Sequence, residues 1–241
     1  MPKNAARLIE RHEVAEGTLG LVLEWPPDFA FTAGQYVRLV LPHPLYPDPG
    51  GNRRTFSIAS PPQDTGQIRI ATRMTGSPMK RSLAEMGLGT TVELLGPGGT
   101  FTLHGDAAVP AVFIAGGIGI TPFLSMVHDA ASRRLLHRIT LIYSNRTPEG
   151  TAFHEDLVRL AGEHERFTYL PTMTQTEASR QPWAGERRRV DGEFLRDHLG
   201  DIAAPLYYVA GPPGLVAGVV RAVVEAGADP TRVQAEEFLG Y

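Results

Sequence analysis

The sequence predicts two domains: an antiparallel β-barrel over residues 1–105, then an α/β open parallel sheet over residues 106–241. Three observations carry this. The N-terminal part holds short strand-like runs separated by Gly/Pro turns, the pattern of a small antiparallel barrel. Beyond Val109, apolar strands alternate with helical stretches, the pattern of a mostly parallel sheet with ligands at the strands' carboxyl ends. Between the two, Val109–Val127 (VPAVFIAGGIGITPFLSMV) reads as buried strand, glycine turn and helix.

In order, Ala6–Val14 and Thr18–Leu23 are expected as strands joined near Glu16-Gly17, with Trp25-Pro26-Pro27 ending the second. Gly34-Gln35 leads into a strand over Tyr36–Leu41. The stretch Pro42–Gly51 (PHPLYPDPGG), rich in proline and glycine, is a loop. Arg53–Ser57 and Gln67–Thr72 flank the turn SPPQDTG, and Lys80–Met86 is a short helix. Thr91–Leu95 is a strand closed by Gly96-Pro97-Gly98-Gly99, and the domain boundary falls near His104–Ala108.

After Val109–Ala115, Thr121 is expected to cap a helix that starts at Pro122 and runs to about Arg134. A strand over Ile139–Tyr143 follows, then Ser144-Asn145-Arg146, a helix from about Ala152 to Ala161, and a strand over Phe167–Leu170. Pro171–Arg189 reads as a mobile polar loop. Asp191 caps a helix over Gly192–Leu199, Pro205–Ala210 is a strand, Gly211–Gly214 a turn and Leu215–Ala226 a helix. Arg232–Ala235 is the last strand, and Glu236–Tyr241 a tail.

Composition narrows the function. A 42% hydrophobic, 20% charged chain of 241 residues is ordinary globular protein, and a net charge of −3 gives no pull towards nucleic acid. Three glycines and a mid-span proline make Val109–Val127 a poor membrane helix, so no membrane span is expected. With no cysteine the sequence holds no disulfide, thiolate nucleophile or cysteine-ligated iron–sulfur cluster. Charges throughout MPKNAARLIERHEV leave no signal-peptide core, and the expected compartment is the cytoplasm. His154-Glu155-Asp156 lacks the second histidine of H-E-x-x-H and no G-x-S-x-G occurs, so neither a metal site nor a hydrolase elbow is expected.

The chemistry-bearing residues point to nucleotides. The turn after Val109–Ala115 aims backbone N–H groups and a helix N-terminus at one point, which suits a pyrophosphate. Arg54-Thr55-Phe56-Ser57 puts a phosphate-pairing guanidinium and an aromatic on one strand face, beside a hydroxyl. Gly76–Ser82 leads into a short helix and forms a second phosphate cradle or a plain surface turn. Arg146, with Ser144 and Asn145, either clamps a ribose 2′-phosphate or is a solvated surface residue; no acidic residue sits there to favour a free 2′-hydroxyl. Arg187-Arg188-Arg189 is a solvated patch or a docking site for an acidic partner.

Seven motifs occur in register: G-Q-Y (34–36), R-T-F-S (54–57), a glycine turn into S-L (76–83), G-P-x-G-x-F (96–101), G-G-I-G-I-T-P (116–122), A-G-P-P (210–213) and a terminal E-E-F. In this the chain resembles the ferredoxin–NADP reductase family over essentially its whole length. The resemblance implies an FAD-binding barrel (1–105) and an NAD(P)-binding domain (106–241) whose tail returns to the flavin, without an iron–sulfur domain. It implies that Arg54 holds the FAD pyrophosphate, that Phe56 stacks on the flavin and that Ser57, beside Thr55, bonds its N5 region. Ala71 and Thr72 would line the flavin, and Gly76 with Met79, Lys80, Arg81 and Ser82 would cradle phosphate. Gly117, Gly119 and Thr121 would receive the pyrophosphate of NAD(P)H, Ala210, Gly211 and Pro212 would abut the nicotinamide, and Glu236 and Phe238 would complete the catalytic site. Hydride transfer needs the reacting atoms about 3–3.5 Å apart, so the protein supplies orientation and stacking.

Four positions depart from the family pattern. Phe56 replaces a tyrosine, Ala210 a cysteine and Lys80 a serine, and Leu239-Gly240-Tyr241 extends past Phe238, so that Phe238 or Tyr241 covers the flavin. The expected function is an NAD(P)H-dependent flavoprotein reductase passing electrons to a ferredoxin, a flavodoxin, an oxygenase component or a small quinone-like molecule. The alternatives are a partner-free diaphorase or ferric reductase, and a non-catalytic flavin- or nucleotide-sensing subunit.

Overall fold

A computed structural model describes residues 3–26 and 28–239. The first sheet is built from β1 (Lys3–Ala15), β2 (Thr18–Glu24), β3 (Tyr36–Val40), β4 (Arg53–Ser57), β5 (Gln67–Arg73) and β6 (Thr91–Gly98), in the order β4-β3-β6-β1-β2-β5. Every pairing is antiparallel. The sheet curls until its edges meet just past β4, where the Ala59 N–H donates to the Arg69 carbonyl at 2.8 Å. Alternation decides which side chains go inside: Val37 and Leu39 of β3 are fully buried between half-buried neighbours, and Ile68 and Ile70 of β5 repeat the pattern. Helix α1 (Pro78–Glu85) sends Met79 and Leu83 into the same core. Ser77 caps it by accepting from the Lys80 N–H, and Pro78 occupies its first turn.

The second sheet is parallel throughout: β7 (Ala111–Gly116), β8 (Ile139–Asn145), β9 (Phe167–Met173), β10 (Leu206–Gly211) and β11 (Val233–Glu237), in the order β11-β10-β7-β8-β9. The chain enters at β7, winds outward to β9, then returns to the other side of β7. All residues of β7 are buried, as a strand covered on both faces requires. Helices α2 (Ile120–Ser132) and α3 (His154–Glu163) cover one face, packing Phe123, Leu157 and Leu160 against Phe113 and Leu141. Helices α4 (Gly192–His198) and α5 (Pro213–Glu225) cover the other, with Phe194 and Val219 against Val112 and Ile114. Asp191 caps α4 by accepting from the Phe194 N–H, as expected.

The two sheets are joined by an aromatic knot and a few polar bonds. Phe101 lies 5.6 Å from the rings of both Phe123 and Tyr208, and Phe123 stacks on Phe113 at 4.8 Å. The Ser125 hydroxyl donates to the Ser60 carbonyl and Gln63 donates to Asp129, both at 2.7 Å.

Several boundaries differ from expectation. Thr121 is not the cap of α2: a 3-10 turn over Gly117–Gly119 runs straight into a helix that starts at Ile120, and the Thr121 hydroxyl donates back to the Ile118 carbonyl. Ladder bonds to β3 carry β6 on to Gly98 instead of ending it at Leu95. Ser144 and Asn145 belong to β8, paired with Thr172 and Met173. The segment 171–189 is no free loop. It continues β9 to Met173, then folds back so that Thr172 bonds the Arg188 carbonyl and the Met173 N–H bonds the Glu186 carbonyl. Glu236 and Glu237 complete β11, so the tail begins only at Phe238; Tyr241 lies outside the described residues.

Phe123 packs between Phe113 of β7 and Phe101 of the segment that follows β6. Phe123→Ala is expected to destabilise the protein by about 3–5 kcal/mol, read from urea midpoints against the unaltered chain. A loss below about 1 kcal/mol would contradict the packing described.

Candidate functional site

Two clefts open between the sheets. The first, about 570 Å³, lies against the barrel. Strand β4 contributes Arg54, Thr55, Phe56 and Ser57 to it, and β5 contributes Ala71, Thr72 and Arg73. Lys80 comes from α1, Thr121 from the start of α2, and Glu236 and Phe238 from the chain's end. Phe56 is 93% buried, its ring shared between the barrel core and the cleft. The Phe238 N–H donates to the Gly211 carbonyl at 2.9 Å, which pins the tail to β10. Burial raises the Glu236 carboxyl above its ordinary range.

The second cleft, about 770 Å³, follows from the winding of the parallel sheet. The order reverses between β7 and β10, so their carboxyl ends part and leave a crevice. The Gly117 turn sits there with φ +52°, a conformation that glycine takes without strain. The Tyr143 hydroxyl donates to the Gly117 carbonyl at 3.0 Å. Carbonyl and following N–H point opposite ways in a trans peptide, so this bond turns the Ile118 N–H away from Tyr143. At the next glycine, a Cβ on residue 119 would lie 2.3 Å from the Ala210 carbonyl oxygen, so only glycine lets α2 begin so close to β10. Arg73, Arg146 and Arg189 line this cleft, and no carboxylate does among the described residues. Arg73 and Ile118 line both clefts, which are therefore two ends of one groove.

The expected residues sort accordingly. Arg54, Thr55, Phe56, Ser57, Ala71, Thr72, Lys80, Thr121, Glu236 and Phe238 line the first cleft; Gly117, Ser144, Asn145, Arg146 and Pro212 line the second. Seven others line neither. Gly119, Ala210 and Gly211 form the backbone contact beneath the groove. Gly76 turns the chain before α1, and Met79 is buried in the barrel core. The Ser82 hydroxyl is turned inward, donating to Pro78 and accepting from the Tyr46 N–H, while Arg81 lies 4.1 Å over the Tyr46 ring. Arg187–Arg189 is not one patch: Arg187 bonds the Trp183 carbonyl, Arg188 pairs with Glu186 and Asp197, and Arg189 reaches the second cleft.

Sequence reasoning missed Arg73, Tyr143, Arg189 and Asp48. Arg73 follows Ala71-Thr72 directly on β5, a signal that was available. Asp48 had none, because its place depends on how a proline-rich loop folds. Its Oδ2 accepts from Arg54 Nη2 at 2.8 Å and from the Met79 N–H, at the N-terminus of α1, at 3.1 Å. Its Oδ1 accepts from the Gly50 N–H at 2.8 Å. Led by the Gly50 donor, these bonds hold its carboxyl below the ordinary range. A carboxylate thus stands where guanidinium and helix N-terminus converge, so the donors fit the oxygens of a pyrophosphate.

Residues 113–221 match a family described as "Oxidoreductase NAD-binding domain". The terephthalate 1,2-dioxygenase reductase component 1 of Comamonas sp is 28% identical over 209 residues, 86% of this chain and 59% of that protein. The chain thus spans less than two thirds of that relative's length. A solved ferredoxin NADP+ reductase from Neisseria gonorrhoeae with bound FAD and NADP has the same fold, with a TM-score of 0.81, 20% identity and coverage of 98% of this chain and 99% of the other. Ferredoxin–NADP reductase B of Sorangium cellulosum (strain So ce56) is 30% identical over 187 residues, which are 77% of this chain and 71% of that protein. This chain belongs to the ferredoxin–NADP reductase family.

Proposed function

We propose that this chain is an FAD-dependent NAD(P)H oxidoreductase that passes electrons to an external acceptor: a ferredoxin, a flavodoxin, an oxygenase component or a small quinone-like molecule. One observation carries the reading. A cleft fitted for an anion by Arg54 and α1 runs, through Arg73 and Ile118, into a crevice at the switch point of a parallel sheet. The family membership and the reductase names of the relatives support it.

Bound there, FAD supplies the hydride-accepting ring and the nicotinamide the hydride. This chain's residues orient and shield. Arg54 and the Met79 N–H at the start of α1 would hold the flavin pyrophosphate, with Lys80 beside them. Phe56 and Phe238 would pack on the flavin's faces, and Ser57 and Thr72, which line the same cleft, would offer hydroxyls to its edge. Glu236 keeps a carboxyl, raised by burial, at the mouth of the nicotinamide position. The Gly117 turn and the N-terminus of α2 receive the second pyrophosphate. Ala210 and Gly211 would form the floor beneath a bound nicotinamide, and the Phe238 ring would yield to it as a gate.

The second cleft favours NADPH over NADH, since Arg146 and Arg189 line it without an opposing carboxylate. Anaerobic mixing with each nucleotide tests both statements. The flavin-loaded protein is expected to lose its yellow colour with NADPH and more slowly with NADH. No bleaching with either would overturn the oxidoreductase reading and leave a sensor. Arg146→Ala and Arg189→Ala are each expected to raise the KM for NADPH about tenfold, equivalent to about 1.4 kcal/mol, and to leave the NADH value unchanged.

Glu236 gives a pH test. Its carboxyl ionises above the ordinary 4.5 in the folded protein, so its contribution to stability is complete below pH 4.5 and is lost as pH rises through the raised value. Glu236→Gln is therefore expected to gain melting temperature relative to the unaltered protein as pH climbs from 4 towards 8. A difference independent of pH would refute the buried-carboxyl assignment.

A further inference from the structure

We propose that Asp48 is a built-in competitor for the flavin pyrophosphate, a side-chain carboxylate that fills the phosphate cradle and has to leave it before the cofactor docks. The inference rests on the reading of Arg54 and α1 as that cradle. The Asp48 side chain is 6% exposed, and its Oδ2 takes the two donors assigned to the cofactor, Arg54 Nη2 and the Met79 N–H. The second terminal nitrogen, Nη1, is bonded to the carbonyls of Gly50, Gly51 and Arg53. Segment 48–51 is thus wrapped around Arg54. A dianionic pyrophosphate and a carboxylate repel each other and compete for the single Met79 N–H and the Nη2 face of Arg54, so one excludes the other.

The loop is built to present this group and to release it. Pro47 and Pro49 flank Asp48, fixing their own φ and holding Asp48 extended, which limits where its carboxylate can swing. Gly50 and Gly51 follow at once. Gly51 has φ +82°, a conformation that glycine takes without strain, so the segment turns there onto the arginine. Upstream, Tyr46 fastens the loop to α1: its N–H donates to the Ser82 hydroxyl, its phenol to Glu85, and its ring lies under Arg81. Downstream, Asn52 donates to the Leu41 carbonyl at 2.7 Å. With Tyr46 and Asn52 tied on either side, the release of Asp48 is confined to the short segment between them.

Asp48→Asn, which keeps the shape and removes the charge, tests the proposal in the full chain stripped of flavin. Flavin fluorescence quenching gives the Kd for FAD and for riboflavin, which lacks the pyrophosphate. The substitution is expected to tighten FAD about five- to tenfold and to leave riboflavin unchanged. Asp48→Ala is expected to move FAD in the same direction. Weaker or unchanged FAD binding by Asp48→Asn would overturn the proposal and make Asp48 a positioning residue for Arg54. An equal shift for riboflavin would overturn it in favour of a general change in the loop. Should none of the three proteins bind FAD, the flavoprotein reading itself would fall, and this proposal with it.

Discussion

The groove depends on how closely two backbones approach at the centre of the parallel sheet. Strands β7 and β10 are neighbours, yet the chain winds away from them in opposite directions, and their carboxyl ends have to open without losing contact. Gly119 makes the contact: it brings the start of α2 against the Ala210 carbonyl, where any side chain would collide with backbone that has no room to shift. Tyr143, fully buried on β8, ties the Gly117 carbonyl from the other side. Helix start, crevice and strand ends are thus fixed together, and the N-terminus of α2 points into the groove through packing and not through a capping side chain.

Charge then divides the groove. Arginines line the second cleft unopposed, whereas the first sets Arg54 and Lys80 at one end and Glu236 and Glu237 at the other. A ligand with phosphates at both ends and flat rings in the middle matches that distribution: cations meet the phosphates, and the carboxylates and aromatic rings stand where the rings meet. Burial deepens the contrast. It lowers the Lys80 ammonium from its ordinary range and raises the Glu236 carboxyl, in each case against the charged form, which a group of opposite charge beside it would restore.

Much of this was legible in the residues because it rests on local pattern. Alternation marks β3 and β5, the apolar run marks β7, and Asp191 announces α4. The glycines at 116, 117 and 119 mark the turn, since nothing else in a buried run needs them. What was not legible depends on partners distant in sequence. Thr121 looks like a cap and is none, because Gly119 has already started the helix. The segment after β9 looks like loose polar chain, yet Thr172, Glu186 and Arg188 close it into a flap that brings Arg189 to the groove. The Asp48–Arg54 pair spans six residues of proline-rich loop, and no periodicity points to it.

The joint between the sheets explains why one groove can serve two ligands. On one side, Ser60 and Gln63 from the barrel bond Ser125 and Asp129 of α2. On the other, the Glu16 N–H donates to the Glu149 carbonyl at 2.8 Å, and the Glu16 carboxylate pairs with Arg180 at 3.1 Å. Glu149 is itself locked in place. Backbone donors, its own first and Arg180 next, and the Ser179 hydroxyl pull its carboxyl down to about 2. Arg73 reaches the Glu16 carbonyl at 3.0 Å from β5 and so stands between this second anchor and the groove. Two anchors thus tie the barrel to the parallel sheet beside the groove, whose floor is backbone at Gly119, Ala210 and Gly211. A frame fixed on both flanks is what the face-to-face stacking proposed for the two rings would require, since the reacting atoms have to be held about 3–3.5 Å apart.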